Sequence, residues 1–134
     1  MDFEFESDGP RGKIKKGITY TLQNEGGFVH YNLGFGDLDE YTGEVNDLSI
    51  SNNGDRDKIL ATVAATVLKF TENVPDALVY AEGSTPVRTR LYQMGIASNL
   101  EDINCFLQVY GLVEGKWYVF EKNVNYEAFI VLRK

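Results

Sequence analysis

The sequence predicts an α+β fold: a curved, mostly antiparallel sheet of six to seven strands with one long helix packed on one face. Three observations carry this. Short runs of alternating apolar and polar residues recur, separated by turns rich in Gly, Asn and Asp. One stretch, 55–72, keeps helical spacing with no Gly or Pro inside it. The strand patterns sit before and after that helix as neighbouring hairpins, which favours antiparallel pairing with helices gathered on one side.

In order, Phe3 and Phe5 alternate with acidic residues and predict a short edge strand. Residues 8–12 (DGPRG) predict a turn. Residues 13–23 predict a strand carrying Ile14, Ile18, Tyr20 and Leu22, with Gly17 marking a bulge. Asn24-Glu25-Gly26-Gly27 predicts a hairpin turn, and 28–38 the return strand, with Val29, Tyr31, Leu33 and Phe35 on one face and His30 on the other. After an acidic turn, 44–50 predicts a further strand.

Asn52 to Asp55 is a helix-start signal, and Val74-Pro75 stops the helix, because the residue before proline avoids the helical region. Ile59, Leu60, Val63, Val67 and Phe70 fall on one arc of about 100°, which should face the sheet. Lys58, Thr62, Thr66 and Lys69 form a polar stripe. Ala61, Ala64, Ala65 and Leu68 form a small-residue face suited to close approach by another helix, from this chain or from a second copy in a homodimer.

Residues 77–81 predict a buried strand. Thr85 is a natural cap and Pro86 a natural first residue for a helix over 86–94, with Val87, Leu91 and Met94 as its buried stripe and Gly95 ending it. Ser98-x-x-Glu101 fits a capping box for a short helix over 99–105. Strands follow at 107–113, 116–121 and 126–133. The predicted order is β-β-β-α-β-α-α-β-β-β, in a single domain over 1–134 with no repeat or linker.

Composition narrows function. Eight Phe, eight Tyr and one Trp, with 43% hydrophobic residues, exclude a largely disordered chain. A net charge of −7 argues against a general nucleic-acid binder. The lone Cys105 excludes an internal disulfide and a cysteine-built zinc site. The acidic start is unlike a signal peptide, and no apolar run approaches a membrane span, so the expected compartment is the cytoplasm, with no membrane partner.

The strongest ligand candidate is Gly83, Ser84, Thr85, Arg88 and Tyr92. A helix start offers free N–H groups and a positive dipole end to a phosphate or carboxylate. Arg88 and Arg90 lie about 200° apart on a helix, so they diverge, and Arg90 is expected in an internal ion pair. The plain reading of the same residues is capping by Thr85. The spacing is not that of a P-loop. Asp37, Asp39, Glu40, Glu44 and Asp47 surround a turn but miss the EF-hand spacing, and His30 is the only histidine, so no metal site is predicted. No nucleophile stands beside an evident base, so no catalytic residue and no cofactor are predicted. Tyr20, Tyr31, Phe35, Trp117, Tyr118 and Phe120 recur on strands and, with Arg11, Lys13, Lys15 and Lys16, could stack and hold single-stranded nucleic acid.

Several strings resemble an uncharacterised bacterial family, a Bacteroidetes-type domain of unknown function. They include Gly9-Pro10-Arg11-Gly12-Lys13, Tyr31-Asn32-Leu33, Ser51-Asn52-Asn53-Gly54-Asp55, Lys58-Ile59-Leu60-Ala61-Thr62-Val63, Gly83-Ser84-Thr85 with Arg88-Thr89-Arg90-Leu91-Tyr92, and Asn125-Tyr126-Glu127-Ala128-Phe129. The resemblance covers nearly the whole chain and implies no activity, substrate or cofactor. The leading expectation is a non-enzymatic binding or regulatory module acting through protein contacts. The alternatives are a small-anion or nucleotide-phosphate binder and a single-stranded nucleic-acid binder.

Overall fold

The computed structural model describes residues 2–10, 12–38, 45–46, 56–83 and 85–134. Its strands are β1 (Asp2–Gly9), β2 (Gly12–Glu25), β3 (Phe28–Leu38), β4 (Val45–Asn46), β5 (Leu78–Ala81), β6 (Leu107–Val113), β7 (Lys116–Val119) and β8 (Phe129–Arg133). Its helices are α1 (Arg56–Asn73), α2 (Pro86–Ser98) and α3 (Leu100–Asn104). Seven strands form one open sheet in the order β1-β2-β3-β5-β8-β6-β7, and the two-residue β4 pairs with β3. Every pairing is antiparallel except β3 with β5. The α+β class and the mostly antiparallel sheet therefore hold. The predicted strand over 44–50 is described only at Val45–Asn46, and the helix-start turn at 51–55 and most of the acidic turn lie outside the described residues.

The hairpin between β2 and β3 forms where Gly26 and Gly27 take positive φ, 58° and 92°, and the Asn24 side chain accepts the Gly27 amide at 3.2 Å. Pairing runs unbroken through Gly17, opposite Glu4 on one side and Gly36 on the other, so no bulge occurs there. A bulge would need an extra unpaired residue. Here Gly17 meets a second glycine, and the pair simply leaves the sheet thin.

The registers sort the side chains onto two faces. One carries Ile18, Tyr20, Leu33, Phe35, Val79, Val109, Phe129 and Val131. The five predicted arc residues of α1 are buried against it. Phe70 stacks on Tyr20 with ring centres 4.2 Å apart. Thr66, assigned from spacing to the polar stripe, is buried as well. Its hydroxyl donates to the Val63 carbonyl (2.8 Å), so the Tyr20 hydroxyl is left to donate to Thr66 (2.9 Å). Burial holds the Tyr20 phenol well above its ordinary pKa, partly opposed by that hydrogen bond. At the far end of this face the fully buried Lys16 ammonium pairs with Asp37.

Helix α2 departs from expectation. The predicted stripe of Val87, Leu91 and Met94 is not the buried one: Val87 is 71% exposed and Met94 38% exposed. Thr89, Tyr92 and Gly95 face inward instead. The helix also runs past Gly95 to Ser98. Gly95 is not a breaker but the contact point with α1, since a Cβ there would lie 3.1 Å from the Leu60 Cβ. Close approach selects small residues, and hydropathy cannot register that choice. The capping box fails for a related reason. Ser98 is still inside α2, and Asn99 closes that helix by donating its side-chain amide to the Gly95 carbonyl (2.8 Å).

Candidate functional site

The β5–α2 junction is built by short-range bonds. β5 ends at Ala81, and the chain turns through Glu82 and Gly83 into the helix. The Thr85 hydroxyl accepts the Arg88 amide at 3.3 Å. The Thr89 hydroxyl accepts the Gly83 amide (3.0 Å) and donates to the Thr85 carbonyl (3.3 Å). A side chain on Gly83 would come within 2.4 Å of the Thr89 nitrogen, so only glycine fits this return. Ser84 lies outside the described residues.

A groove of about 540 Å³ runs beside this junction. Gly83, Thr85, Arg90 and Gln93 line one side, Tyr126 and Glu127 the other, and Glu82 one end. The far wall is pinned. Gln93 donates to the Val124 carbonyl and accepts the Tyr126 amide (3.1 Å). The Tyr126 hydroxyl accepts the Glu121 amide (2.9 Å), and the Glu127 carboxylate accepts the Glu114 amide (2.6 Å).

The structure brings together only part of the set expected from sequence. Gly83 and Thr85 line the groove. Arg88 is half-buried and is not part of the lining, whereas Arg90 is exposed and is. That reverses the roles expected of the two arginines, because α2 is rolled so that Thr89 and Tyr92 point inward. Tyr92 is buried and lines an apolar cavity of about 60 Å³ between the helices and the sheet. The helix start is also largely self-satisfied. Pro86 has no N–H, and Thr85 takes the amides of Arg88 and Thr89. With Glu82 and Glu127 beside Arg90, the groove mixes two carboxylates with one guanidinium.

The opposite sheet face presents a different surface. All three described helices pack on the Tyr20 side, through Phe70, Tyr92 and Ile103. On the other side the registers align Phe28, His30 and Asn32 of β3 with Tyr80 of β5, Ile130 of β8, Tyr110 of β6 and Val119 of β7. Phe28 stacks on His30 with centres 4.4 Å apart, and His30 lies 5.3 Å from Tyr80. Tyr80 meets Trp117 edge-on at 6.2 Å, leaning over the two intervening strands and the buried Ile130. Phe28, Trp117 and Val119 stay exposed.

Carboxylates converge on this row. The Tyr80 hydroxyl donates to Glu82 at 2.9 Å, and Glu25 sits opposite Phe28 in the hairpin register. Burial, the bond to Glu82, and the charges of Glu82, Glu25 and Glu127 together push the Tyr80 pKa up to about 12. Glu82 also ends the α2 groove, so groove and aromatic row meet at one side chain.

Sequence reasoning singled out other aromatics. Tyr20, Phe35 and Phe120 are core residues and Tyr31 is half-buried, leaving only Trp117 and Tyr118 exposed from that set. The row was signalled by His30 falling opposite Val29 and Tyr31, but its membership depends on β5 inserting beside β3.

A model described as a family of unknown function (DUF6934) matches residues 1–134. The chain belongs to that family. No curated protein and no solved structure matches this DUF6934 chain. Among the described residues no group of His, Cys, Asp and Glu is placed to hold a metal ion, and no helix is long and apolar enough to cross a membrane.

Proposed function

We propose that this DUF6934 protein is a non-enzymatic binding module acting through protein contacts, with the aromatic end of the uncovered sheet face as its contact surface. The supporting observation is the row Phe28–His30–Tyr80–Trp117, continued by exposed Val119, on a face that no described helix overlies. Grouped aromatic rings at the water boundary are the composition of interface centres.

The α2 groove supports an anion-binding role less well. A phosphate held by Gly83, Ser84, Thr85 and Arg88 would stand near Glu82 and Glu127, and the cap bonds already occupy Thr85. Single-stranded nucleic acid on the aromatic row would bring phosphates against Glu25 and Glu82. A homodimer through α1 would rest on Ala61 and Ala65, which are exposed, because Ala64 and Leu68 pack against the core.

The test is site-specific photo-crosslinking in cells of the source organism. Benzoylphenylalanine at position 117 should capture a defined partner, while the same group at exposed position 87 should not. Equal capture from both positions, or none from 117, would refute the assignment.

A further inference from the structure

We infer that the occupant of the aromatic face is an extended segment of a partner protein that lays lysine or arginine side chains across Phe28, Tyr80 and Trp117, with their charged heads toward Glu25 and Glu82. This rests on the contact surface proposed above and adds the chemistry of what it takes.

Charge complementarity carries the argument. The registers place no lysine or arginine on this face of β3, β5, β8, β6 or β7, where Phe28, His30, Tyr80, Tyr110, Trp117 and Val119 stand. On β2 the lysines of this face, Lys13 and Lys15, lie at the other end of the strand from Glu25, opposite Asp8 and Glu6 of β1. His30 is itself buried and covered by Phe28. The aromatic row therefore carries no lysine or arginine among its own residues and has carboxylates at its margin, with Arg90 on the groove side of Glu82. Ring faces carry negative quadrupole density, which adds to that field. Burial is the main cause of the raised Tyr80 pKa, and the charges of Glu82, Glu25 and Glu127 add to it.

An acidic or nucleic-acid occupant would be repelled by Glu25 and Glu82. A purely apolar one would cover the rings but bring no donor to Glu25 or to the remaining lone pairs of Glu82 while stripping both of water. A lysine or arginine side chain meets both demands, since its alkyl stem packs on the rings and its head reaches the carboxylates. Glu82 is already fixed by the Tyr80 hydroxyl, which leaves its other lone pairs to accept the incoming donor.

The test uses the full chain and synthetic peptides. Trp117 is the only tryptophan and lies inside the proposed site, so its fluorescence reports occupancy directly. The probes are acetyl-Thr-Lys-Thr-Lys-Thr-Lys-Thr amide and the versions carrying norleucine or glutamate in place of lysine. The lysine peptide should saturate the Trp117 signal and bind about fivefold or more tightly than the norleucine peptide, with no response to the glutamate peptide. The double substitution Glu25→Gln with Glu82→Gln, on exposed side chains, should weaken it about tenfold, and Tyr80→Leu about fivefold.

Equal binding of the norleucine and lysine peptides would overturn the cation preference while leaving the surface as a docking site. Lysine-peptide binding unchanged by all of these substitutions would overturn the inference, assigning the response to general attraction by the net charge of −7. No Trp117 response to any peptide would also overturn it, and the crosslinking at position 117 would then judge the docking surface separately.

Discussion

Gly95→Ala is expected to stabilise the protein, although Gly95 is buried where two helices touch. The added Cβ would sit 3.1 Å from the Leu60 Cβ, 3.2 Å from Cδ2 and 3.4 Å from Cδ1. Those distances require Leu60 to retreat by a few tenths of an ångström. Leu60 can do so because it lines the 60 Å³ apolar cavity, as does Gly95 itself. Replacing glycine by alanine inside a helix contributes about 1 kcal/mol. Burying one methyl in apolar space adds up to about 0.8 kcal/mol. Compression of Leu60 takes back part of this, and overpacking with no room to relax costs about 1–3 kcal/mol. With the cavity available, the balance is a gain of about 1 kcal/mol, or roughly 3 °C in Tm for a chain of this size. Urea unfolding followed by circular dichroism, with the slope unchanged, measures it. A loss of more than about 1 kcal/mol would refute the reasoning, because it falls in the range for a contact with no room to relax. Gly95→Ala combined with Leu60→Val would then locate the error: recovery in the double variant would mean that the contact is right and the room beside it is absent.

Gly111→Ala should act in the opposite direction. Its Cβ would meet the Tyr126 ring at 2.2 Å, and that ring is tied to Glu121 and packed on Phe120 and Phe129, so a loss of about 3 kcal/mol is expected in the same urea assay. Tyr20→Phe should cost about 1 kcal/mol, because the buried Thr66 oxygen loses a donor while keeping its own bond to Val63. Tyr80 has a folded-state pKa of about 12 against an ordinary 10.0, so its contribution to stability is complete below pH 10 and is lost as pH rises toward 12. Tyr80→Phe should flatten the alkaline fall in stability over that interval, and phenolate absorbance should show Tyr80 ionising earlier in Glu82→Gln.

The sequence was most readable where spacing and burial agree. Ile59, Leu60, Val63, Val67 and Phe70 announce the buried side of α1, and all five are buried. Leu107–Val113 alternates and is the strand expected. Phe3 and Phe5 alternate with acids and predict a short edge strand, which proves to be eight residues long. Reading failed where small or polar groups replace apolar ones inside. Thr66 reads as surface until Tyr20 is known to stand over it. Val87 and Met94 read as core, yet α2 turns Thr89 and Gly95 inward because close approach to Leu60 outweighs hydropathy. The aromatic row was illegible for a topological reason. Phe28 and His30 are separated from Tyr80 by the whole of α1, and only the parallel β3–β5 pairing makes them neighbours. Of the ligand set expected at the α2 start, Gly83 and Thr85 share the groove, while Arg88 and Tyr92 depend on a helix rotation that no local pattern encodes.

The two borders of the sheet are unequal, which bears on how copies of the chain could add to one another. β1 ends the strand order on one side and carries Asp2, Glu4, Glu6 and Asp8 at alternate positions. β7 ends it on the other, with Trp117, Tyr118 and Val119 all exposed and only Lys116 charged. Joining β7 of one copy to β1 of the next would repeat without limit and build a fibre. Each such step would crowd the four acids of β1 against the incoming strand, and charged border strands resist that addition. Joining β7 to β7 uses each free border once and closes at two copies. The four acids of β1 thus set that border apart from β7 as the one charged against strand addition.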